Sequence, residues 1–537
     1  MSEGLAYRPS FDLPYRSARQ PVMASNVVST SQPLAAQAGL RMLLAGGNAV
    51  DAALATAIAL TVLEPTGNGL GSDAFAIVWD GSSLHGLNAS GRAARDIDAE
   101  GFLQAGSMRR IGWDAVTVPG AVSAWAEASR RFGRLEFATL FEPAIHYAEE
   151  GFPVSPSIAR GWATSLKVLG VRPDFAAAFS RDGAAPAAGE RWRFPDQARS
   201  LRLIAESGGD AFYRGELADA IVAAARAEGG PMRHEDLAEH SADWVGTVAT
   251  GFAGGELHEI PPNGQGLAAL LALGILRHTG LLEYTVDSAD WLHVQIEAMK
   301  LALADAHRYV ADPDHMDVSV AELLDDGYLA ARAASIDMAA AADPAHGAPR
   351  PGGTVYLTAA DRDGMMVSFI QSNYYGFGSG VVVPGTGISL QNRGLGFTLE
   401  RGHPNVVSGG KRPFHTIIPG FIMANGAPLA SFGVMGGPMQ AQGHVQMTVR
   451  LLAHDQNPQA ASDAPRWQVL AGREVVVEPG FGDAVLADLT ARGHHLKQTP
   501  PEQSFSYGGA QLIARLPGDA GYIAGSDHRK DGQAVGF

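Results

Sequence analysis

The sequence predicts an α+β fold, with a helix-rich first part joined to a strand-rich second part. Three observations predict it. Residues 118–340 are dominated by alanine-rich amphipathic segments such as "DWLHVQIEAMKLALADAHRYV", whose apolar residues recur at helical spacing. Past Thr354 alternating apolar segments take over, in "TVYLTAA", "MMVSFIQSNYYGFG" and "TIIPGFIMANGAPLASFGV". Between them "DPAHGAPRPGG" interrupts both patterns with proline and glycine, so residues 343–353 read as a flexible connector.

The elements follow in order. The first helix starts near Pro33, a residue suited to a first helical turn, with Ser31 as the expected cap and Gly46-Gly47 as the stop. The second runs from about Ala49 to Leu63 and is apolar nearly all round, which predicts burial on both sides. "FAIVWDGSSLHGLNAS" reads as a hairpin turning at Asp80-Gly81. Helices then dominate to about Ala342. After the connector a strand opens at Thr354 and ends in a type I turn at Asp361-Arg362-Asp363-Gly364.

The chain has 537 residues, 46% of them apolar, a formal charge of -16 and no cysteine. An acidic balance disfavours a nucleic-acid partner. Without cysteine there are no disulfides, thiolate metal sites or cysteine nucleophiles. The opening "MSEGLAYRPSFDLPYRSARQ" lacks the apolar core of a secretory signal. The longest apolar run, Ala52–Leu63, falls short of the roughly 20 residues that span a bilayer. These readings predict a soluble, cytoplasmic protein that uses neither a membrane nor nucleic acid.

Several familiar patterns fail. "HEDLAEH" spaces His234 and His240 six apart, off a shared helix face, and reads as a solvated helix rather than a zinc motif. "DRDG" opens like a calcium loop, but its twelfth position is Ser372 instead of Glu. "GNGLGSD" and "GFGSG" lack dinucleotide-binding spacing, and no G-x-S-x-G occurs.

The stretch "RPGGTVYLTAADRDG" places Gly-Gly before a threonine at the mouth of a strand. A hydroxyl is a weak nucleophile without an adjacent base. An N-terminal threonine carries one, its own α-amino group, with an ordinary pKa of about 7.7–8.0. That amine exists only once the bond between Gly353 and Thr354 is broken. Glycine at 353 permits the strained backbone that attack by the Thr354 hydroxyl on the preceding carbonyl needs.

Five blocks, in order, resemble the γ-glutamyltransferase family of N-terminal nucleophile hydrolases. They are "SQPLAAQAGLRMLLAGGNAVDAALATAIALTVLEPTGNGLGSDAFAIVWD", "AVTVPGAVSAWAEASRRFGRLEFATLFEPAIHYAEEGFPV", "GGTVYLTAADRDGMMVSFIQSNYYGFGSGVVVPGTGISLQNRG", "KRPFHTIIPGFI…SFGVMGGPMQAQGH" and "SDAPRW". The resemblance implies a four-layer αββα sandwich, made as one precursor and cut into a large chain, 1–353, and a small chain, 354–537. The two form an αβ heterodimer, alone or as (αβ)2. Thr354 matches the nucleophile, and Gly353 precedes the cut. Gly436 and Gly437 match the pair whose N–H groups form the oxyanion hole, and Ser372 matches a hydroxyl that bonds the nucleophile. Arg92 matches an arginine that grips a substrate carboxylate. No metal or organic cofactor is implied.

The departures bear on substrate. Where the family holds a substrate ammonium with Gln, Asp and Asn, this sequence has Arg393, Gly396 and Tyr374. A Ser-Ser pair becomes His415-Thr416, and the loop between Phe397 and Lys411 is short. Two arginines, Arg92 and Arg393, in one pocket would repel an ammonium and attract a carboxylate. The expectation is an amidohydrolase of small anionic amides such as oxamate, working through an acyl-threonine. A true γ-glutamyltransferase or glutathione hydrolase, a glutaryl-cephalosporin-type acylase, and an uncut binding homologue are the alternatives.

Overall fold

The computed structural model describes residues 18–344, 353–500 and 506–537. Most of the expected connector lies outside the described residues, and Gly353 already belongs to a strand.

Two seven-stranded antiparallel sheets form the centre. The first runs, edge to edge, Gln533–Gly536, Val27–Thr30, Gly353–Ala360, Met366–Tyr374, Asp73–Trp79, Leu84–Ala89 and Asp243–Trp244. The second runs Val22–Ala24, Tyr522–Ser526, Ala510–Arg515, Ala427–Val434, Gly420–Ala424, Gly255–Glu259 and Val248–Phe252. Both sheets draw strands from either side of position 353, so the two parts of the chain are interleaved.

Alternation along the strands sorts the side chains into separate cores. Phe75, Ile77, Tyr356, Ile370, Phe421 and Ile513 form one cluster contributed by both sheets. The intervening Ala74, Ala76, Leu357 and Phe369 pack instead with the helices Pro33–Leu44 and Ala49–Leu63. Leu257, Ile422, Phe432 and Leu512 of the second sheet pack with the helices Gly266–Leu276, Ala289–Tyr309 and Met439–His454. The period of two along a pleated strand produces this division.

Local signals worked where their chemistry is short-range. Helix Ala49–Leu63 is buried along its whole length, as its uniform apolarity requires. Asn48 and Asp51 cap it reciprocally, and Asp361 of the 361–364 turn accepts from the Ala49 N–H at 2.8 Å. The hairpin Asp73–Trp79 with Leu84–Ala89 forms as expected, with Gly81 at φ 101°. Two expectations need correction. Gln32, not Ser31, caps helix Pro33–Leu44, because Ser31 donates to Glu64 at 2.5 Å instead. The mainly helical stretch 118–340 contains a hairpin, Val248–Phe252 with Gly255–Glu259, turning at Ala253-Gly254 with φ of 48° and 83°. No helix among the described residues is long and apolar enough to cross a membrane.

A buried ionic cluster fixes the loops beside the second sheet. Asp527 accepts from Arg466 at 2.6 Å, from Arg529 at 3.1 Å and from the Ala510 N–H at 2.6 Å. Burial alone would raise the Asp527 pKa; Arg466 and Arg529 overrule it and hold the carboxyl well below its usual range. Arg466, from the "SDAPRW" block, also donates to the Tyr507 carbonyl at 2.9 Å. A carboxyl depressed on folding contributes stability above its unfolded pKa and loses it as pH falls toward the folded value. The wild type should therefore lose this contribution only below about pH 4. Asp527→Ala, which leaves buried Arg466 without its carboxylate while Arg529 keeps Glu478, should cost about 3–5 kcal/mol at neutral pH in denaturant melts.

Candidate active site

The strand Gly353–Ala360 enters the first sheet through an irregularity. Gly353 lies opposite Tyr374 and Val355 opposite Gln371, so one residue, Thr354, faces two, Ser372 and Asn373. Thr354 is 5% exposed. Its Oγ1 donates to the Gly353 carbonyl at 2.7 Å and lies 3.3 Å from Ser372 Oγ. Ser372 Oγ donates to the same carbonyl at 2.6 Å and accepts from the Tyr374 N–H at 2.8 Å.

Glycine is needed at this crossing. A Cβ on Gly353 would stand 3.0 Å from the Thr66 carbonyl oxygen, and one on Gly67 would stand 3.1 Å from the Thr354 carbonyl oxygen. The "GNGLGSD" stretch, which carries no nucleotide-binding spacing, is thus the floor beneath Thr354.

Gly436 and Gly437 lie just before helix Met439–His454, with φ of 126° and 59°. A side chain at Gly436 would be strained by that backbone and would meet Gly508 Cα at 3.1 Å. The Gly436 carbonyl accepts from the Met439 N–H, and the Gly437 carbonyl from the Gln440 N–H at 3.1 Å and the Gln265 side chain at 2.8 Å. These bonds hold the carbonyls in the helical turn. The partial positive charge of the helix N-terminus adds to the donors there. Gln440, fully buried, brings this helix end to Thr354, its Nε2 lying 3.4 Å from Oγ1.

Arg393 is fully buried and is bonded by only one of its nitrogens. Nη1 donates to Thr416 Oγ1 at 2.8 Å, and the guanidinium lies 4.3 Å from the centre of the Tyr374 ring. Its Nε and Nη2 have no hydrogen-bond partner among the described residues. Burial lowers its pKa to about 10, opposed by Tyr374 and Asp73, so it stays charged at neutral pH. Glu400, the acid a few residues further along, is exposed and does not pair with it.

Asp73 supplies the nearby negative charge. It accepts from Gly91 N at 3.0 Å, Gly120 N at 3.2 Å, Gln391 Nε2 at 2.9 Å and His415 Nε2 at 3.0 Å. Burial raises Asp73 to about 6 against the pull of Arg393 and these donors, which leaves it a carboxylate at neutral pH. Burial, then Arg393 and Arg412, pushes His415 well below its ordinary value, so it is neutral and gives its Nε2–H to Asp73.

The contacts close a ring. Thr354 meets Ser372, Ser372 meets Tyr374, the Tyr374 ring meets Arg393, and Arg393 meets Thr416. Gln265 joins the Thr416 and Gly437 carbonyls, and Gln440 returns from Gly437 to Thr354. Tyr374 and Thr416 also line an open cleft of about 800 Å³ with Phe397, His307, Arg308 and Pro438.

Two sequence candidates stand outside the ring. Arg92 donates to Asp312 at 3.0 Å and to the Gly410 carbonyl at 3.1 Å, lining a separate cavity of about 410 Å³ with Asp243 and Arg412. His415 is turned inward onto Asp73. Three residues of the site escaped sequence reasoning: Asp73, Gln265 and Gln440. Each sits in a stretch that also carries other polar residues, Ser72, Asn263 and Gln442, so no local signal singles it out. His293, Glu297 and His494 form a buried group of cation-binding type, but the Lys300 ammonium already sits 2.7 Å from Glu297.

Comparison with known proteins places the chain in a family. The sequence profile described as Gamma-glutamyltranspeptidase matches residues 35–537. The chain is 36% identical to a glutathione hydrolase-like proenzyme of Bacillus subtilis (strain 168), over 96% of this chain and 100% of that one. It is 37% identical to an oxamate amidohydrolase proenzyme of Klebsiella pneumoniae, over 94% of this chain and 97% of that one. Among solved structures, a cephalosporin acylase from Bacillus halodurans superposes with a TM-score of 0.94 and 48% identity, covering 99% of both chains.

A buried cation with unused donors costs stability, and natural sites keep such groups where function needs them. Arg393→Met relieves a desolvated, underbonded cation but removes a countercharge of buried Asp73, so the net change in stability should stay below the roughly 3–5 kcal/mol of breaking a bonded buried pair. A loss of several kcal/mol in denaturant melts would mean that the guanidinium is a structural brace.

Proposed function

The chain belongs to the gamma-glutamyltranspeptidase family, and from that premise we propose a self-cutting proenzyme that hydrolyses amides of small anionic acyl groups. It is an enzyme of the hydrolase, acylase and transpeptidase kind, with helices and sheets mixed as in N-terminal nucleophile hydrolases. The two sheets and their helical coats are read as a four-layer αββα sandwich. Cleavage before Thr354 would give chains 1–353 and 354–537, which stay together because both contribute hydrogen-bonded strands to each sheet.

In maturation, Thr354 Oγ attacks the Gly353 carbonyl carbon while Ser372, already on that carbonyl oxygen, polarises it. As the ester forms, the Gly353–Thr354 C–N bond breaks and the Oγ proton passes to the leaving nitrogen, which frees the Thr354 amine. Water then hydrolyses the ester, releasing Gly353 as a carboxylate and restoring the Thr354 hydroxyl. In turnover that amine takes the Thr354 hydroxyl proton as Oγ attacks the substrate carbonyl. The Gly436 and Gly437 N–H groups hold the oxyanion. The amine or ammonia leaves, and water hydrolyses the acyl-threonine.

One observation carries the substrate class: Arg393, buried, charged and with two nitrogens free, stands where an ammonium-binding site would need acceptors. A guanidinium fork pairs with a carboxylate and repels an ammonium. The acyl group would then carry a carboxylate and no α-amino group, which suits oxamate, the substrate named for one relative. The 800 Å³ cleft supports a second reading, an acylase whose leaving amine is much larger than ammonia. The small ligand, not a membrane or nucleic acid, is the partner, and the cytoplasm is the proposed location. Neither reading calls on a metal or cofactor.

The test is a paired assay. Matured protein should hydrolyse oxamate or a dicarboxylic monoamide and turn over γ-glutamyl-p-nitroanilide poorly, with Arg393→Met losing the first activity at least about 10²-fold. Robust γ-glutamyl turnover retained by Arg393→Met would overturn the amino-less substrate. Ser372→Ala should mature more slowly than wild type by about 10²-fold, followed as the disappearance of the full-length chain by mass. Equal rates would remove Ser372 from the reaction.

A further inference from the structure

We propose that the side-chain amide of Gln440 is a catalytic hydrogen-bond donor to the Thr354 oxygen; this rests on Thr354 being the nucleophile. Gln440 occupies the first turn of helix Met439–His454 and is fully buried. An amide's oxygen and nitrogen are told apart by their partners. Here the Ile418 N–H, a donor only, lies 3.0 Å from Oε1 and fixes that atom as the oxygen. The NH2 end is thereby directed at Thr354 Oγ1, 3.4 Å away. The backbone of Gln440 is fixed as well, through its N–H to the Gly437 carbonyl at 3.1 Å. Both ends of the residue are set by groups that do not titrate.

The chemical consequence follows from what Oγ1 must do. In the precursor its proton points at the Gly353 carbonyl, 2.7 Å away. A donor on the lone-pair side leaves that proton where it is and gives the oxygen a partner as its proton departs. The bond is long in the resting state and shortens as charge builds on Oγ1, so it favours the transition state over the bound substrate. No bond to Gln440 forms or breaks, and it transfers no proton. The amide differs from Gly436 and Gly437 in acting on the attacking oxygen, not on the substrate's carbonyl oxygen. In the precursor Ser372 does not replace it, because its hydroxyl proton is already given to Gly353 O at 2.6 Å.

The experiment compares wild type, Gln440→Leu and Gln440→Glu in two readouts. The first is the rate at which full-length chain is cut, by intact mass. The second is kcat and KM on a dicarboxylic monoamide, normalised to the cut fraction. Gln440→Leu should fall about 10²-fold in both rates with KM within about twofold, the size of one lost transition-state donor. Gln440→Glu should fall at least as far, because a carboxylate presents an acceptor to an oxygen gaining charge. Melting curves of both variants should overlay the wild type within a few degrees, which separates chemistry from misfolding. Wild-type rates in Gln440→Leu, or a change confined to KM, would overturn the role of Gln440 while leaving the proposed function standing. An uncut, inactive wild type would instead overturn the function itself.

Discussion

One hydroxyl must be buried against one backbone carbonyl, and the rest of the site depends on that contact. Thr354 Oγ1 and Ser372 Oγ both donate to Gly353 O. Such crowding requires backbone to approach backbone from the other side, which is why Gly353 and Gly67 carry no side chains. It also requires a place in the ladder where one residue faces two. The irregularity between Gly353 and Val355 provides it, at the inner strand pair of a sheet whose neighbours come from both parts of the chain. The interleaving matters for the proposed cut: a break before Thr354 leaves every strand of both sheets paired.

Electrostatics around this contact are arranged in layers of solvent-free charge. Arg393 is left with unused donors, while Asp73 is saturated by four. The asymmetry is informative. A charge pair kept only for stability would share its hydrogen bonds, whereas here the carboxylate is spent on the scaffold and two guanidinium nitrogens go unbonded among the described residues. His415 belongs to the scaffold side of this division, since its neutral ring only completes the Asp73 shell. The ring of contacts from Thr354 through Arg393 and Gln265 back to Gln440 ties the buried guanidinium to the hydroxyl. Small displacements at either are therefore felt at the other.

Much of this was legible in the residues. Helix Ala49–Leu63, the Asp80-Gly81 turn and the strand opening at Thr354 were readable because periodicity and turn chemistry act over a few residues. The Thr354–Ser372 contact and the Gly436-Gly437 turn were readable through the resemblance to a known family. Long-range placement was not. Nothing local in "NASGRAARD" tells that Arg92 pairs with Asp312, more than 200 residues away, rather than entering the same pocket as Arg393. Nor does anything local to Gln265 or Gln440 announce that it bridges carbonyls or faces a hydroxyl. Those roles are set by which strands neighbour which in the two sheets, a property of the whole chain.

The central claim is that Thr354 becomes a chain end by its own chemistry. Intact mass spectrometry of freshly purified wild type beside Thr354→Ala tests it most directly. The account predicts two fragments meeting between Gly353 and Thr354 in the wild type and one full-length chain in the variant. A single full-length mass for both, or the same cut in the variant, would contradict it.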